Sequence, residues 1–524
     1  MLPGQFSEMG LGGFHLPFEE SMMLQSEQVD CLVIGSGFGG SVAASRLSSA
    51  GKKVVLLERG KEWKTSDEQD TFSSYRHPDG RSAWLSDETV LFEPQPIPRF
   101  TGLVERCVED GVTVWVAAGV GGGSLVYNTV LLRPSQENFE KVFASEVSYS
   151  DFVKYFDRVY AVMQPEQIPD EVLNTHYYLS SRVFLEQAAK AGLHTEKLFI
   201  ASSWDIAKQE ISGEKRPSAI DGEIWYGINS GMKKSLDRNY LDIGLRTGNL
   251  EIRPLHNVTG IREDDSDGFA VHYQRIDSSG KSLEEGTITT RRLFLGAGSI
   301  GTSRLLIKAK GKGTLPKLND FVGKFWGDNG DTFATRNVGT ETNPGQGGPA
   351  SVVIKHHDNP ISPQTIIVYP QWDAPEGTLT SLGMSIPQDH GEFRYDDRDE
   401  SVKLFWPIDS PGVRKVLDGV NHTYSLMDAC IDIEAEAPDS QDSGQTSNGR
   451  THPTTQAVNG ITAHPLGGVV MGKACDYYGR VMGYDGLYVM DGAFIPGSTA
   501  ATNPALTIAA FAERSIENII ANDL

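Results

Sequence analysis

The chain is 524 residues long, 39% apolar and 22% charged, enough for two or three domains' worth of buried core and balanced like a globular protein. A net charge of −22 argues against nucleic acid or an anionic membrane surface as a partner. Four scattered cysteines (Cys31, Cys107, Cys430, Cys475) form no CxxC pair, have no metal-like spacing and ask for no oxidising compartment.

Residues 1–25 read as an irregular arm. They have no basic n-region, carry Glu8, Glu19 and Glu20, and contain no long apolar run. Neither a signal peptide nor a membrane span is expected, and a cytoplasmic location is the simplest reading. Residues 29–60 carry the strongest local signal. Val29 to Ile34 is an apolar run of strand length, and Gly35-Ser36-Gly37-Phe38-Gly39-Gly40 follows it with GxGxxG spacing. SVAASRLSSAG then reads as a small-residue helix, and Lys53 to Leu57 as a second strand ending at Glu58. Gly35 permits the tight turn, Gly37 lets a pyrophosphate approach the backbone, and Gly40 lets helix and strand pack closely. The N–H groups at the helix start face the phosphates, where the helix dipole favours negative charge. Glu58 is placed to accept hydrogen bonds from a ribose. With strand, turn, helix, strand and acid all in register, this is a dinucleotide site.

Residues 61–105 are polar, aromatic and proline-rich, and read as irregular connections. Gly119-Val120-Gly121-Gly122-Gly123-Ser124 is a loop whose backbone can lie against a flat ring or a phosphate. DFVKYFDRVYAVM and YYLSSRVFLEQAAKAG have helical spacing, with Gly192 as a stop. From Leu250 the pattern changes to three runs of an antiparallel meander: EIRPLHNVTGIRE, GFAVHYQRID and GTITTRRLFLGAG. The last passes through Gly296-Ala297-Gly298 into a helix, TSRLLIKAK, and so returns to the first sheet. Residues 316–460 are a second excursion, with VVIK, TIIVYPQW, LTSLGMSI and GEFRYDD as strands and EAPDSQDSGQTSNGR as a solvated loop. The tail holds Ala463-His464-Pro465-Leu466-Gly467-Gly468, a strand ending Met490-Asp491-Gly492, and a final amphipathic helix after Asn503-Pro504.

The GSGFGG unit, the GVGGGSLV loop, the LFLGAGSIGTSRLL junction and the ending HPLGG…GRVMGYDGLYVMDGAFIPGSTAATNPALTIAAFAER resemble the glucose-methanol-choline oxidoreductases. The resemblance runs from about Val29 to Ile520, and its wording looks like that of the bacterial cholesterol oxidases. It implies FAD against Gly35, Gly37, Phe38, Gly39, Gly40, Glu58 and Arg59, and a non-covalent link is expected because no histidine or cysteine sits beside the GVGGGSLV loop. It places Gly119, Gly121, Gly122, Gly123, Ser124 and Asn128 beside the flavin, and Val258 at the adenine. Gly298, Asp491 and Gly492 would serve the ribityl and pyrophosphate region, with Asn503 and Pro504 close to the ring. No metal is expected. His464 and Asn503 would face the reactive side of the isoalloxazine, and Glu376, with Asp373 a poorer choice, would shift a double bond after oxidation.

Taking a hydride from an alcohol carbon requires an acceptor for the hydroxyl proton, and a histidine such as His464 suits that role. Asn503 can donate to the substrate oxygen or polarise the ring, although Asn503-Pro504 also reads as a helix N-cap with proline at the first position. The expected activity is an FAD-dependent alcohol oxidase for a bulky, largely apolar alcohol, with dioxygen as acceptor. The rivals are a dehydrogenase with another acceptor and a redox-neutral flavoenzyme. The expected architecture is mixed α/β. A Rossmann-like FAD-binding domain with an antiparallel meander (26–60, 244–320 and 476–524, with 115–128 contacting the flavin) is interleaved with a substrate domain (61–243 and 321–475) built on a mixed or antiparallel sheet plus helices. The sequence leaves the oligomeric state open, a monomer included.

Overall fold

The computed structural model describes residues 27–91, 93–264, 268–431, 433–434, 450–451 and 454–524, so the arm expected at 1–25 lies outside it, as does the solvated tract from Glu436 up to Arg450. The fold is mixed α/β. Its centre is a five-stranded sheet in the order Leu487–Val489, Leu293–Leu295, Cys31–Ile34, Val54–Leu57, Leu250–Arg253, parallel throughout. All residues of the first four strands are buried, which is why they read as unbroken apolar runs and not as alternating ones.

The meander differs from the expected one in where its runs divide. The strands His256–Asp264, Gly268–Ile276 and Ser282–Thr290 form it, and Glu27–Val29 joins its edge in parallel. Leu250–Arg253 and Leu293–Leu295 belong to the parallel sheet instead. The first run is broken at Pro254-Leu255, where Leu255 has a φ of 59°; a rigid ring followed by a left-handed residue cannot continue a strand.

A six-stranded antiparallel sheet lies across the cavity from the parallel one. Its order is Thr454–Val458, Thr332–Asn337, Thr378–Met384, Gln364–Tyr369, Val352–His356, Thr195–Lys197. Both middle strands are buried along their whole length. One face packs on the helix Pro411–Asp428 through Val420, Tyr424 and Met427. Phe333, Leu382 and Ile367 stand abreast on three neighbouring strands, so the period-2 pleat turns them together to the other face, toward the cavity. A small sheet of Val104–Glu109, Val112–Ala117 and Ile461–Thr462 carries the chain to His464. The closing helix, Pro504–Asn522, is anchored on the first helix, Phe38–Ser49, where Arg46 pairs with Glu513 at 2.6 Å and Tyr240 donates to the same carboxylate. Phe511 sits among Phe139, Phe143, Phe152 and Phe494, and each such buried ring contributes about 1.5–3 kcal/mol.

Candidate active site

The first glycine turn is built by backbone meeting backbone. Gly35 has a φ of 89°, and a Cβ there would lie 2.4 Å from the Gly296 carbonyl oxygen. A Cβ on Gly40 would lie 2.0 Å from the carbonyl oxygen of Gly35, so only glycine lets the helix start against the strand. At Gly37 the neighbourhood is different: an added Cβ would meet nothing nearer than Gly296 O at 3.9 Å. This open position lies on the cavity at the N-cap of a 12-residue helix that has no side-chain cap. The turn is therefore sealed on its inner side and clear where an anion would approach.

Glu58 ties this turn to the second glycine loop. Its Oε2 accepts from Ser36 N and Oγ at 3.0 and 2.7 Å, and its Oε1 from Gly60 N and Gly119 N at 2.9 and 3.3 Å. Four protein donors thus already address the carboxylate that the sequence assigns to a ribose. Gly121 N–H donates to Ser36 Oγ, and the Ser124 hydroxyl donates to Gly121 O while accepting from Leu236 N. Gly119, Gly121, Ser124 and Gly40 hold the two loops together and do not line the cavity; Gly122, Gly123 and Asn128 do.

The cavity has a volume of about 670 Å³. On the side of the parallel sheet it is lined by Gly37, Phe38, Gly39, Glu58, Arg59, Val258, Gly298, Asp491 and Gly492. Asp491 is buried, and burial pushes its carboxyl up to about 6, against donors from Thr302 Oγ, Ala493 N and Gly298 N. Arg59 lies over the Trp84 ring and pairs with Glu105 at 2.5 Å. On the side of the antiparallel sheet the lining is apolar: Trp115, Val130, Trp225, Phe333, Ile367 and Leu382. Trp115 meets Phe333 edge-on at 5.7 Å, which fixes both rings.

His464 and Asn503 line the same cavity, as do Pro465 and Pro504. His464 Nδ1 is 2.8 Å from Asp331 Oδ1, and Asp331 is fully buried. Burial and the neighbouring Asp331 charge push the carboxyl of Asp328 up to about 7. Asn503 occupies the N-cap of the closing helix but makes no side-chain cap bond. Its Oδ1 is buried without a partner among the described residues, as are Tyr127 OH and Trp115 Nε1. Such orphans in a cavity wall ask for a polar ligand. Together with the clear approach to Gly37 they fit a dinucleotide of the kind the resemblance implies.

Glu376 is a correction. It does not line the cavity. It is an exposed loop residue whose Oε1 accepts from the backbone N–H of Thr342, Asn343 and Gly377, and these bonds outweigh its partial burial to hold the carboxyl below its usual range. Asp373 is likewise exposed and accepts from Gln371. Sequence reasoning missed Asp331, Trp115, Trp225 and Phe333. The only local trace of the first is the acid-and-glycine turn Gly327-Asp328-Asn329-Gly330-Asp331. Among the described residues no cluster could hold a metal ion, and no helix is long and apolar enough to cross a membrane.

Two family models, both described as GMC oxidoreductase, match residues 29–324 and 387–512. The chain belongs to the GMC oxidoreductases. As a GMC oxidoreductase it is a flavoprotein enzyme acting on CH–OH donors. It is 24% identical to the cholesterol oxidase of Acinetobacter baumannii, covering 95% of both chains. It is 26% identical to that of Mycobacterium tuberculosis strain H37Rv over 93% of this chain and 90% of the relative. An oxygen-dependent choline dehydrogenase of Rhizobium etli is 28% identical over 41% of this chain and 38% of its own. Among solved structures, pyridoxine 4-oxidase from Mesorbium loti superposes with a TM-score of 0.64 at 14% identity, over 95% of this chain and all of its own. A fungal aryl-alcohol oxidase gives 0.59 at 14%, over 94% and 99%. Both share the GMC oxidoreductase fold.

Proposed function

We propose that the protein is an FAD-dependent alcohol oxidase that accepts a bulky, largely apolar alcohol, with dioxygen as the final electron acceptor. The observation that carries this is one cavity holding a carboxylate-backed histidine, an uncapping asparagine and an aromatic wall of Trp115, Trp225 and Phe333. When bound, FAD supplies the hydride acceptor. His464 accepts the hydroxyl hydrogen bond of the alcohol, orients the carbinol hydrogen and takes the proton as the C–O bond becomes a carbonyl. The Asn503 amide holds the substrate oxygen from a second direction. The apolar wall excludes water and provides surface for the rest of the alcohol.

Gly37, Gly39, Phe38, Glu58, Arg59, Val258, Gly298 and Asp491 hold the dinucleotide without a covalent link, since neither histidine nor cysteine stands in the loop from Gly119 to Asn128. Among the described residues no acid stands on the aromatic wall, so oxidation of an unsaturated sterol would leave its double bond in place.

The test is the visible spectrum of the FAD-loaded protein under anaerobic conditions, before and after a panel of alcohols that includes cholesterol and aryl alcohols. Bleaching by an apolar alcohol, followed on aeration by stoichiometric peroxide, is the expected result. Bleaching without peroxide would replace dioxygen by another acceptor. A spectrum that no alcohol changes would sink the oxidase reading in favour of a redox-neutral flavoenzyme.

A further inference from the structure

The short turn Asp328-Asn329-Gly330-Asp331, which leads into the strand Thr332–Asn337, touches the supports of both His464 and Asn503. Asp331 Oδ2 accepts from Thr462 Oγ at 2.8 Å and Ala463 N at 3.2 Å, and its Oδ1 faces His464 Nδ1 at 2.8 Å. Two residues earlier, Asn329 clamps the turn ahead of the closing helix. Its Oδ1 accepts from Thr499 N and Oγ at 2.9 and 3.1 Å, and its Nδ2 donates to Thr502 O at 2.9 Å. That clamped turn contains Ala500 and Ala501, both buried and both left-handed, at φ 65° and 58°. Consecutive left-handed alanines persist only where their surroundings impose them, and such strain collects at sites that must present a group in one pose. Asn503 follows directly.

We propose that this one turn positions both groups of the site: Asp331 fixes the tautomer of His464, and Asn329 fixes the pose of Asn503. The proposal rests on the reading of His464 as proton acceptor. A carboxylate oxygen accepts only, so the proton of the neutral ring sits on Nδ1 and bare Nε2 is left for a substrate hydroxyl. In Asp331→Asn the single amide oxygen stays with its two donors, Thr462 and Ala463. The amide NH₂ then faces Nδ1, and the ring proton must move to Nε2. The histidine becomes a donor toward the cavity with its geometry intact, the same logic by which an aspartate-to-asparagine change disables a serine-protease triad.

The experiment uses the FAD-loaded full chain with ¹⁵N-labelled histidine, the His464 signals being identified by their loss in His464→Gln. The wild type is expected to show a protonated Nδ1 and a bare Nε2. Asp331→Asn is expected to reverse them and to slow anaerobic flavin reduction at least about 100-fold with FAD still bound. Asn329→Ala is expected to leave the tautomer unchanged and slow reduction about 10-fold, with no further loss when combined with Asn503→Leu, because the two act through one group. A wild-type ring protonated on Nε2 overturns the proposal whatever the variants do. So does an unchanged tautomer in Asp331→Asn, or multiplying losses in the double variant. If no alcohol reduces the wild-type flavin, the oxidase reading falls, and the tautomer measurement still decides this proposal.

Discussion

The two sides of the cavity are built by opposite means. On the parallel-sheet side, backbone packs on backbone: a Cβ on Gly40 would strike Gly35 O, and one on Gly122 would come 2.6 Å from Gly37 Cα. On the antiparallel-sheet side, side chains do the shaping, with Trp115, Trp225, Phe333, Ile367 and Leu382 arriving from separate segments. In the proposed function the first side recognises a ligand through N–H groups and a helix dipole, and those are available only if side chains are absent. The second, in the same proposal, recognises an apolar body, which any large side chain of the right size can wall. A backbone-built side tolerates almost no substitution, whereas a side-chain-built one can be remodelled for another alcohol.

The largest effect should separate two glycines three residues apart. Gly40→Ala places a Cβ 2.0 Å from a carbonyl oxygen with no flexible neighbour to give way, so loss of folded protein is expected. Gly37→Ala meets no protein atom within 3.9 Å and has an extended, ordinary φ of −70°, so the apoprotein should fold with an unchanged melting temperature while FAD binding is lost. Thermal unfolding of the apoprotein and flavin retention on gel filtration read the two outcomes. If Gly37→Ala keeps its FAD, the open position is not where the phosphates lie, and the contrast between the two sides loses its main support.

That contrast also explains what the sequence could tell. The parallel-sheet side is local: an apolar run, a glycine turn and a helix occupy residues 31–49, and buried parallel strands leave unbroken apolar runs that are easily read. One misjudged boundary, at Pro254-Leu255, came from two strands written without an intervening polar turn. The aromatic wall has no such signature, because Trp115 and Phe333 share a contact across more than two hundred residues and no short period links them. His464 and Asn503 were legible only through resemblance; nothing in HPLGG or TNPAL states which face the side chains take. Asp331 was illegible for the same reason, being joined to His464 by folding alone. Glu376 was misread because an acid in a loop looks the same whether it faces a cavity or caps neighbouring backbone N–H groups.

A middle-sized effect concerns one buried carboxyl on each side. Asp491 is supported by three donors, while Asp328 has a hydrogen bond from Gly330 N at 2.9 Å and faces the charge of Asp331. Burial and that charge raise the folded Asp328 to about 7, above the roughly 3.9 of an unfolded aspartate. Its proton therefore favours the native state. That contribution is complete below about pH 3.9 and is lost as pH rises through about 7, and it is on the order of a few kcal/mol. Asp328→Asn should flatten the fall in apoprotein stability between about pH 4 and pH 7, as read by urea midpoints. An unchanged slope would place the proton elsewhere and remove the asymmetry between the two carboxyls.

The smallest effect is expected at Glu376, and its smallness is informative. Its Oε1 is engaged by three backbone N–H groups at the loop 342–343 and at Gly377, so Glu376→Gln keeps an acceptor there but weakens bonds that a full charge had strengthened. A loss of about 1 kcal/mol in stability is expected at this exposed position. Flavin reduction by the best alcohol of the panel should stay within about twofold of wild type, since no atom of Glu376 lines the cavity. The decisive readout is the position of the double bond in the product of an unsaturated sterol: unshifted in both proteins if the aromatic wall carries no base. A shifted product from the wild type that becomes unshifted in Glu376→Gln, with oxidation intact, would bring this loop over the substrate. The side-chain-built side would then contain a reacting group as well as a shape.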